Sequence, residues 1–149
     1  MAAEETNWGG PRPQSGGSYV QGDAGLPGRD AVFDRVPPHD DEAEMAVLGG
    51  MLLSKDAIGE VSQMIDVTDF YQPKHQTIYE AIINLFSNSQ NVDVVIVANQ
   101  LMKDGNLDKV GGADYLHTLV AFVPTAANAT YYAEIVHQRA ILRNVIAAG

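Results

Sequence analysis

Residues 91–105, Asn-Val-Asp-Val-Val-Ile-Val-Ala-Asn-Gln-Leu-Met-Lys-Asp-Gly, decide the fold class. Val94-Val95-Ile96-Val97 is a β-branched run with the length of a buried strand, and alone it would introduce a sheet. Its flanks argue for a helix. Asp93 stands where a cap is needed, Val97 and Leu101 lie four apart, and Lys103 falls in the last turn. Gly105 follows the end, where a left-handed residue is wanted. Read this way, the segment joins its neighbours in an all-α domain.

Working outward, Asp40 or Asp41 can cap a helix in which Glu44 follows three to four residues on. Met45, Leu48 and Leu52 then fall at i, i+3 and i+7, the pattern of a short amphipathic helix. Gly49-Gly50 inside it costs about 1 kcal/mol per glycine relative to alanine, which points to a close crossing by another helix. Ser54 caps a second helix with Ile58, Val61 and Ile65 as its buried stripe. Pro73 suits the first turn of a third. There Ile78, Tyr79, Ile82, Leu85 and Phe86 share one side, opposite Gln76, Thr77, Glu80, Asn84 and Ser87. His75 falls on the apolar side and reads as a hydrogen-bonded core histidine rather than a ligand. Gly111-Gly112 opens a short helix through Tyr115, Leu116 and Leu119, closed by Pro124.

The last helix runs from about Asn128. On its wheel Tyr131, Ile135, Leu142 and Ile146 lie within about 60° of one another, with Tyr132 and Val136 alongside and Ile141 on the far side. Arg139 and Arg143 project from the apolar side itself. Such a helix reads as gripped by two partners, the domain core and a second helix or subunit, since arginine is favoured where a charge enters an interface. The alternative is that both arginines lie along the core edge with their stems buried. The expected architecture is therefore a compact bundle of about six short helices over residues 37–149. Before it, residues 1–36 hold half of the chain's 14 glycines, together with Pro11, Pro13 and Pro27, and no apolar repeat. They read as an arm without fixed structure, with Trp8, Tyr19 and Val32-Phe33 as its candidate anchors.

Composition excludes whole classes of function. With 19 acidic residues against 9 basic ones, a net charge of −10, the chain lacks the clustered lysine and arginine of a nucleic-acid surface. It has no cysteine, so a disulfide scaffold, a thiol nucleophile and an iron–sulfur site are excluded together. No apolar window is long enough to span a membrane, no secretion signal opens the chain, and the cytoplasm is the expected compartment. A G-x-x-x-x-G-K-[ST] loop, a dinucleotide fingerprint, H-E-x-x-H and G-x-S-x-G are all missing. His39-Asp40-Asp41 has the residue types of a metal-dependent phosphohydrolase, but it is one pair without further ligands, and helix capping accounts for the two aspartates. Asp114 and His117, three apart, make a local pair rather than an acid–base couple. The residues predict no catalysis and no cofactor or metal site.

Ordered motifs carry the reading further. Glu42-Ala43-Glu44-Met45-Ala46-Val47-Leu48-Gly49-Gly50 resembles the E-x-E-x-x-V-L-G-G opening of the N-terminal domain of DnaB-type replicative DNA helicases. Asp69-Phe70-Tyr71-x-x-x-His75-x-x-Ile78-Tyr79 is similar to that family's next segment, and Val92-Asp93-x-Val95-x-Val97 stands at its following helix start. Gly111-Gly112-Ala113-x-Tyr115-Leu116, Pro124-Thr125-Ala126-Ala127-Asn128 and Tyr132-Ala133-x-Ile135-Val136 with Arg139 complete the series. The resemblance implies a helical head leading into the first helix of a hairpin, in a non-catalytic assembly domain. Subunits of such helicases pair into the collar of a hexamer, which receives primase and, in some lineages, a loader. It also implies that ATP, magnesium and DNA belong to a motor domain beyond Gly149, and that Gly49 and Gly50 are structural. A freestanding regulator of the helicase is the alternative role. The residues assigned to a subunit or primase interface are Tyr132, Ile135, Val136, Arg139, Leu142, Arg143 and Ile146; His75 and Asp93 are assigned structural roles.

Overall fold

In the computed structural model residues 36–148 are described; the predicted arm, with Trp8, Tyr19 and Val32-Phe33, lies outside them. Six α-helices follow one another: α1 (Asp41–Leu53), α2 (Lys55–Ser62), α3 (Pro73–Ser87), α4 (Val94–Lys103), α5 (Gly112–Phe122) and α6 (Ala129–Ala148). Single 3₁₀ turns at Val67–Asp69, Asp108–Val110 and Ala126–Asn128 join them, and the described residues contain no strand.

Local chemistry sets the helix ends. Asp40 Oδ1 accepts from Ala43 N at 2.9 Å, Ser54 Oγ from Ala57 N at 3.3 Å, and Asp93 Oδ1 from Ile96 N at 2.8 Å. Each side chain satisfies a donor that the first turn leaves without a helical partner. The Val94–Val97 run is thus a helix, opened by its aspartate. α3 and α4 end alike: Gln90 N donates to Leu85 O, Asn106 N donates to Leu101 O, and the residue before each donor is left-handed. In α4 that residue is Gly105 (φ 75°). In α3 it is Ser89 (φ 61°), which carries a Cβ where glycine is preferred.

The expected amphipathic first helix is not what forms. α1 is buried around most of its circumference, from Ala43 and Glu44 through Val47, Leu48 and Met51 to Leu52, and it packs against α2, α3, α5 and α6. A helix buried on most sides belongs inside a bundle, and α1 is the element around which α2, α3, α5 and α6 gather. Its glycines set two crossings. A Cβ on Gly49 would overlap the carbonyl oxygen of Leu119 in α5, and one on Gly50 would lie 3.0 Å from Ala129 Cβ in α6. The rest of the core is continuous, with Ile58, Val61, Phe70, Ile78, Ile82, Leu101, Leu116 and Leu119 all buried.

α6 packs on the head through small residues. Its stripe against the head is Ala129, Ala133, Val136 and Ala140, not the large side chains that dominate the wheel. Tyr131, Val145 and Ile146 are each 63% exposed and Leu142 is 47% exposed. Summed hydrophobicity follows the large residues, whereas a backbone crossing close to Gly50 admits only small ones. Val136, assigned above to an outer interface, is 1% exposed and belongs to the core instead.

Two substitutions should move stability in opposite directions. Gly49→Ala forces a methyl group into the backbone of α5 and should destabilise the domain by about 1–3 kcal/mol. Ser89→Gly relieves a left-handed side chain and should stabilise it by about 0.5–1 kcal/mol. Urea denaturation followed by circular dichroism measures both.

Candidate functional site

The most buried polar chemistry lies where α1, α3 and α5 meet. Glu44 is 1% exposed, and its carboxylate accepts from Tyr71 N at 2.7 Å and Gln72 N at 3.3 Å, the two residues entering α3. His75 Nδ1 lies 2.7 Å from Glu44 Oε1, and His75 Nε2 lies 2.6 Å from the Tyr115 hydroxyl. A carboxylate only accepts, so Nδ1 carries a proton and donates to Glu44. In the neutral ring Nε2 then accepts from Tyr115 O–H. Lys74 Nζ sits 4.1 Å from the centroid of the Tyr115 ring and covers it with a cation. Burial, with Asp41 and Glu44 nearby, pushes the Tyr115 phenol up to about 12. Burial, with Asp66 and Asp69, does the same to Tyr79, whose hydroxyl donates to Ile65 O at 3.0 Å.

This chain of bonds has the order of an acid–base relay, but it joins four structural segments. A carboxylate holding two backbone N–H groups and a ring nitrogen is a strut: it ties the start of α3 to α1 and, through the imidazole, to α5. Sequence reasoning placed His75 in the core and gave Glu44 only a capping role. Glu44 lies three and four residues before Val47 and Leu48, on a buried face, and a carboxylate there demands a buried donor.

The second site is the outer side of α6. Tyr131, Leu142, Val145 and Ile146 stand exposed along it, with Tyr132, Ile135 and Arg139 half-buried beside them. Leu142, Ile141, Gln138 and Arg139 line a shallow groove of about 290 Å³. Arg143 is turned inward: Nη1 donates to Pro38 O at 2.9 Å and Nη2 to Asp69 O at 2.7 Å. Of the assigned interface residues, Leu142 and Ile146 stand on the outer side, Tyr132, Ile135 and Arg139 flank it half-buried, and Val136 and Arg143 are taken up by the chain's own structure.

The residues weighed for metal chemistry are occupied elsewhere. Asp40 caps α1. The His39 ring stacks on Tyr71 with centroids 4.0 Å apart, and its Nε2 lies 3.2 Å from Asp41 Oδ1, which also accepts from Gln72 Nε2. Among the described residues no group of three or more histidine, aspartate or glutamate side chains is arranged to hold a metal ion. Nor is any helix among them long and apolar enough to cross a membrane.

Six helices around one apolar core, the last of them apolar on two opposite sides, define an all-α domain with a helix left open for packing. The chain belongs to the DnaB-like helicase N-terminal domain family, whose sequence pattern matches residues 36–138. It is 52% identical over 122 residues to the replicative DNA helicase DnaB of Leifsonia xyli subsp. xyli, covering 82% of this chain and 27% of that protein. It is 43% identical over 117 residues to the replicative DNA helicase DnaC of Bacillus subtilis, covering 78% of this chain and 26% of that protein. The chain therefore spans about a quarter of the length of these relatives. The crystal structure of the N-terminal domain of DnaB helicase from Mycobacterium tuberculosis superposes with a TM-score of 0.76 at 53% identity, covering 76% of this chain and 79% of that one. A DnaB-like replicative helicase solved with its interactions with primase superposes with a TM-score of 0.65 at 28% identity, covering 72% of this chain and 25% of that one.

The network makes two predictions. Glu44→Gln keeps the shape but turns an amide N–H₂ toward donors, and it should cost about 2–4 kcal/mol in urea denaturation at neutral pH. Tyr79 and Tyr115 both prefer their protonated form when folded. Their contribution is complete below pH 10, the ordinary phenol value, and is lost as pH rises toward about 12. Stability should fall over that window by at most about 1.4 kcal/mol per pH unit per phenol. Tyr79→Phe should make the slope shallower, read as the urea midpoint at successive pH values.

Proposed function

We propose that this chain is the assembly and docking domain of a replicative DNA helicase, acting through the outer side of α6. The observation that carries the reading is the row Tyr131, Leu142, Val145 and Ile146, exposed on a helix already anchored by its opposite, alanine-lined side. Apolar side chains repeated along one helix face form a surface that gains from being covered. The partner is a second helix, supplied by a neighbouring subunit or by the other arm of a hairpin, so that the domains pair within a hexameric collar. Primase is the second partner. The relative at 28% identity that was solved with primase interactions shares this fold and supports the assignment. A loader would meet the same collar where one is used.

The chain itself supplies no turnover in this reading. ATP, magnesium and DNA unwinding belong to a motor domain of the whole helicase, which works in the cytoplasm. The chain's charge of −10 suits a protein partner better than a DNA backbone.

Light scattering after size exclusion tests this on the chain alone and mixed with the C-terminal domain of primase from the same organism. A defined mass above the monomer and co-elution with primase are expected. Tyr131→Glu and Leu142→Glu should each weaken self-association about tenfold or more while leaving the circular dichroism spectrum unchanged. A monomeric wild-type chain that elutes apart from primase would overturn the reading.

A further inference from the structure

The outer part of α6 has almost no core beneath it. Its buried residues end at Ala140, and beyond that point Arg143 is the one side chain not exposed among the described residues. Two polar contacts tie the helix down. His137 Nδ1 donates to Asp69 Oδ2 at 2.9 Å, and the Arg143 guanidinium reaches both Pro38 O and Asp69 O. The second contact joins three stretches of chain that are remote in sequence: the residues entering α1, the turn before α3, and α6 itself. Tyr71 completes the cluster. His39 stacks on its ring, and Arg143 Cζ lies 5.5 Å from the ring centroid.

The chemistry suits arginine. Its planar fork presents several N–H donors at fixed angles, so one side chain satisfies two carbonyls on different segments and also lies against an aromatic ring. Lysine has the charge without the fork. A single polar strap at the end of the core contact determines where the last two turns of α6 point, because no apolar packing there does so.

We propose that Arg143 is a positioning residue for the docking face: by strapping α6 to Pro38 and Asp69 it sets the direction in which Leu142, Val145 and Ile146 are presented. This rests on the reading of α6 as the docking helix. It also couples that face to the head, so a shift of the 69–71 turn or of residues 38–39 moves the outer half of α6.

Hydrogen exchange by mass spectrometry tests the strap in the Tyr131→Glu background, where self-association does not itself protect α6. Arg143→Met keeps the length of the side chain and removes its donors. It should speed exchange across residues 141–148 about tenfold or more, leaving amides of α1–α5 unchanged. Arg143→Lys should fall between Met and the natural residue, and it serves as the variant of record should Arg143→Met not fold. Unchanged exchange over 141–148 overturns the proposal. In the chain carrying Tyr131, Arg143→Met should also weaken self-association about tenfold. Faster exchange with undiminished association would leave the strap standing and overturn the docking reading on which its positioning role depends.

Discussion

A carboxylate at 1% exposure constrains everything around it. The oxygens of Glu44 have no water to bond and must be filled from within, and the chain fills them with two backbone N–H groups from residues 71–72 and the imidazole of His75. Each donor comes from the start of α3, so the entry angle of that helix follows from the position of one side chain on α1. The imidazole passes the constraint to Tyr115 and hence to α5. Removing water from such a group is expensive, and only a complete set of partners offsets the cost. Partial versions of this head, lacking either α3 or α5, leave a buried charge or a buried ring nitrogen unsatisfied. The polar network therefore enforces one arrangement of helices that apolar packing alone would specify loosely.

Apolar packing contributes a different kind of precision. α1 meets α5 at Gly49 and α6 at Gly50, and at each point the absence of a side chain lets another helix approach closely. The two glycines weaken α1 as an isolated helix by about 1 kcal/mol each, which the close crossings offset. The rest of the core is filled by larger residues from α2, α3, α4 and α5, among them Ile58, Ile78, Ile82, Leu101 and Leu116. α6 crosses α1 closely at Gly50, which explains why its anchored stripe is mostly alanine and why its bulkiest residues face away.

How much of this was legible in the sequence depends on whether the information was local. Caps were: Asp93 opens α4 by a bond to a residue three positions on, and that contact turned an ambiguous β-branched run into a helix. The glycine pair advertised a crossing because it is costly anywhere else. His75 stood out as a polar residue on an apolar face. The family resemblance over residues 37–149 added the class of partner, which no spacing rule contains. What stayed illegible were relations between distant segments. Glu44 looks like a first-turn acid until Tyr71 and His75 are brought to it from nearly thirty residues away. The anchored stripe of α6 was invisible to a hydrophobic wheel, because alanine counts for little in hydrophobicity and for much in a tight crossing. Arg143 was legible as an unusual charge on an apolar side, but its acceptors are backbone carbonyls, and carbonyls carry no sequence signature.

The all-round burial of α1 has a consequence for synthesis. α1 is the first helix of the domain to leave the ribosome, yet the helices that close over Gly49 and Gly50 begin at residues 112 and 129. At translation rates of about 5–20 residues per second, an apolar helix with a buried acid at its head waits for several seconds before its last cover exists. Until α5 begins at residue 112, α2 and α3 are the helices that can pack against it. The early arrival of Tyr71, Gln72 and His75, which satisfy Glu44 before α5 and α6 are made, lets the nascent chain hold a partly closed head rather than expose its most extensively buried helix to the cell.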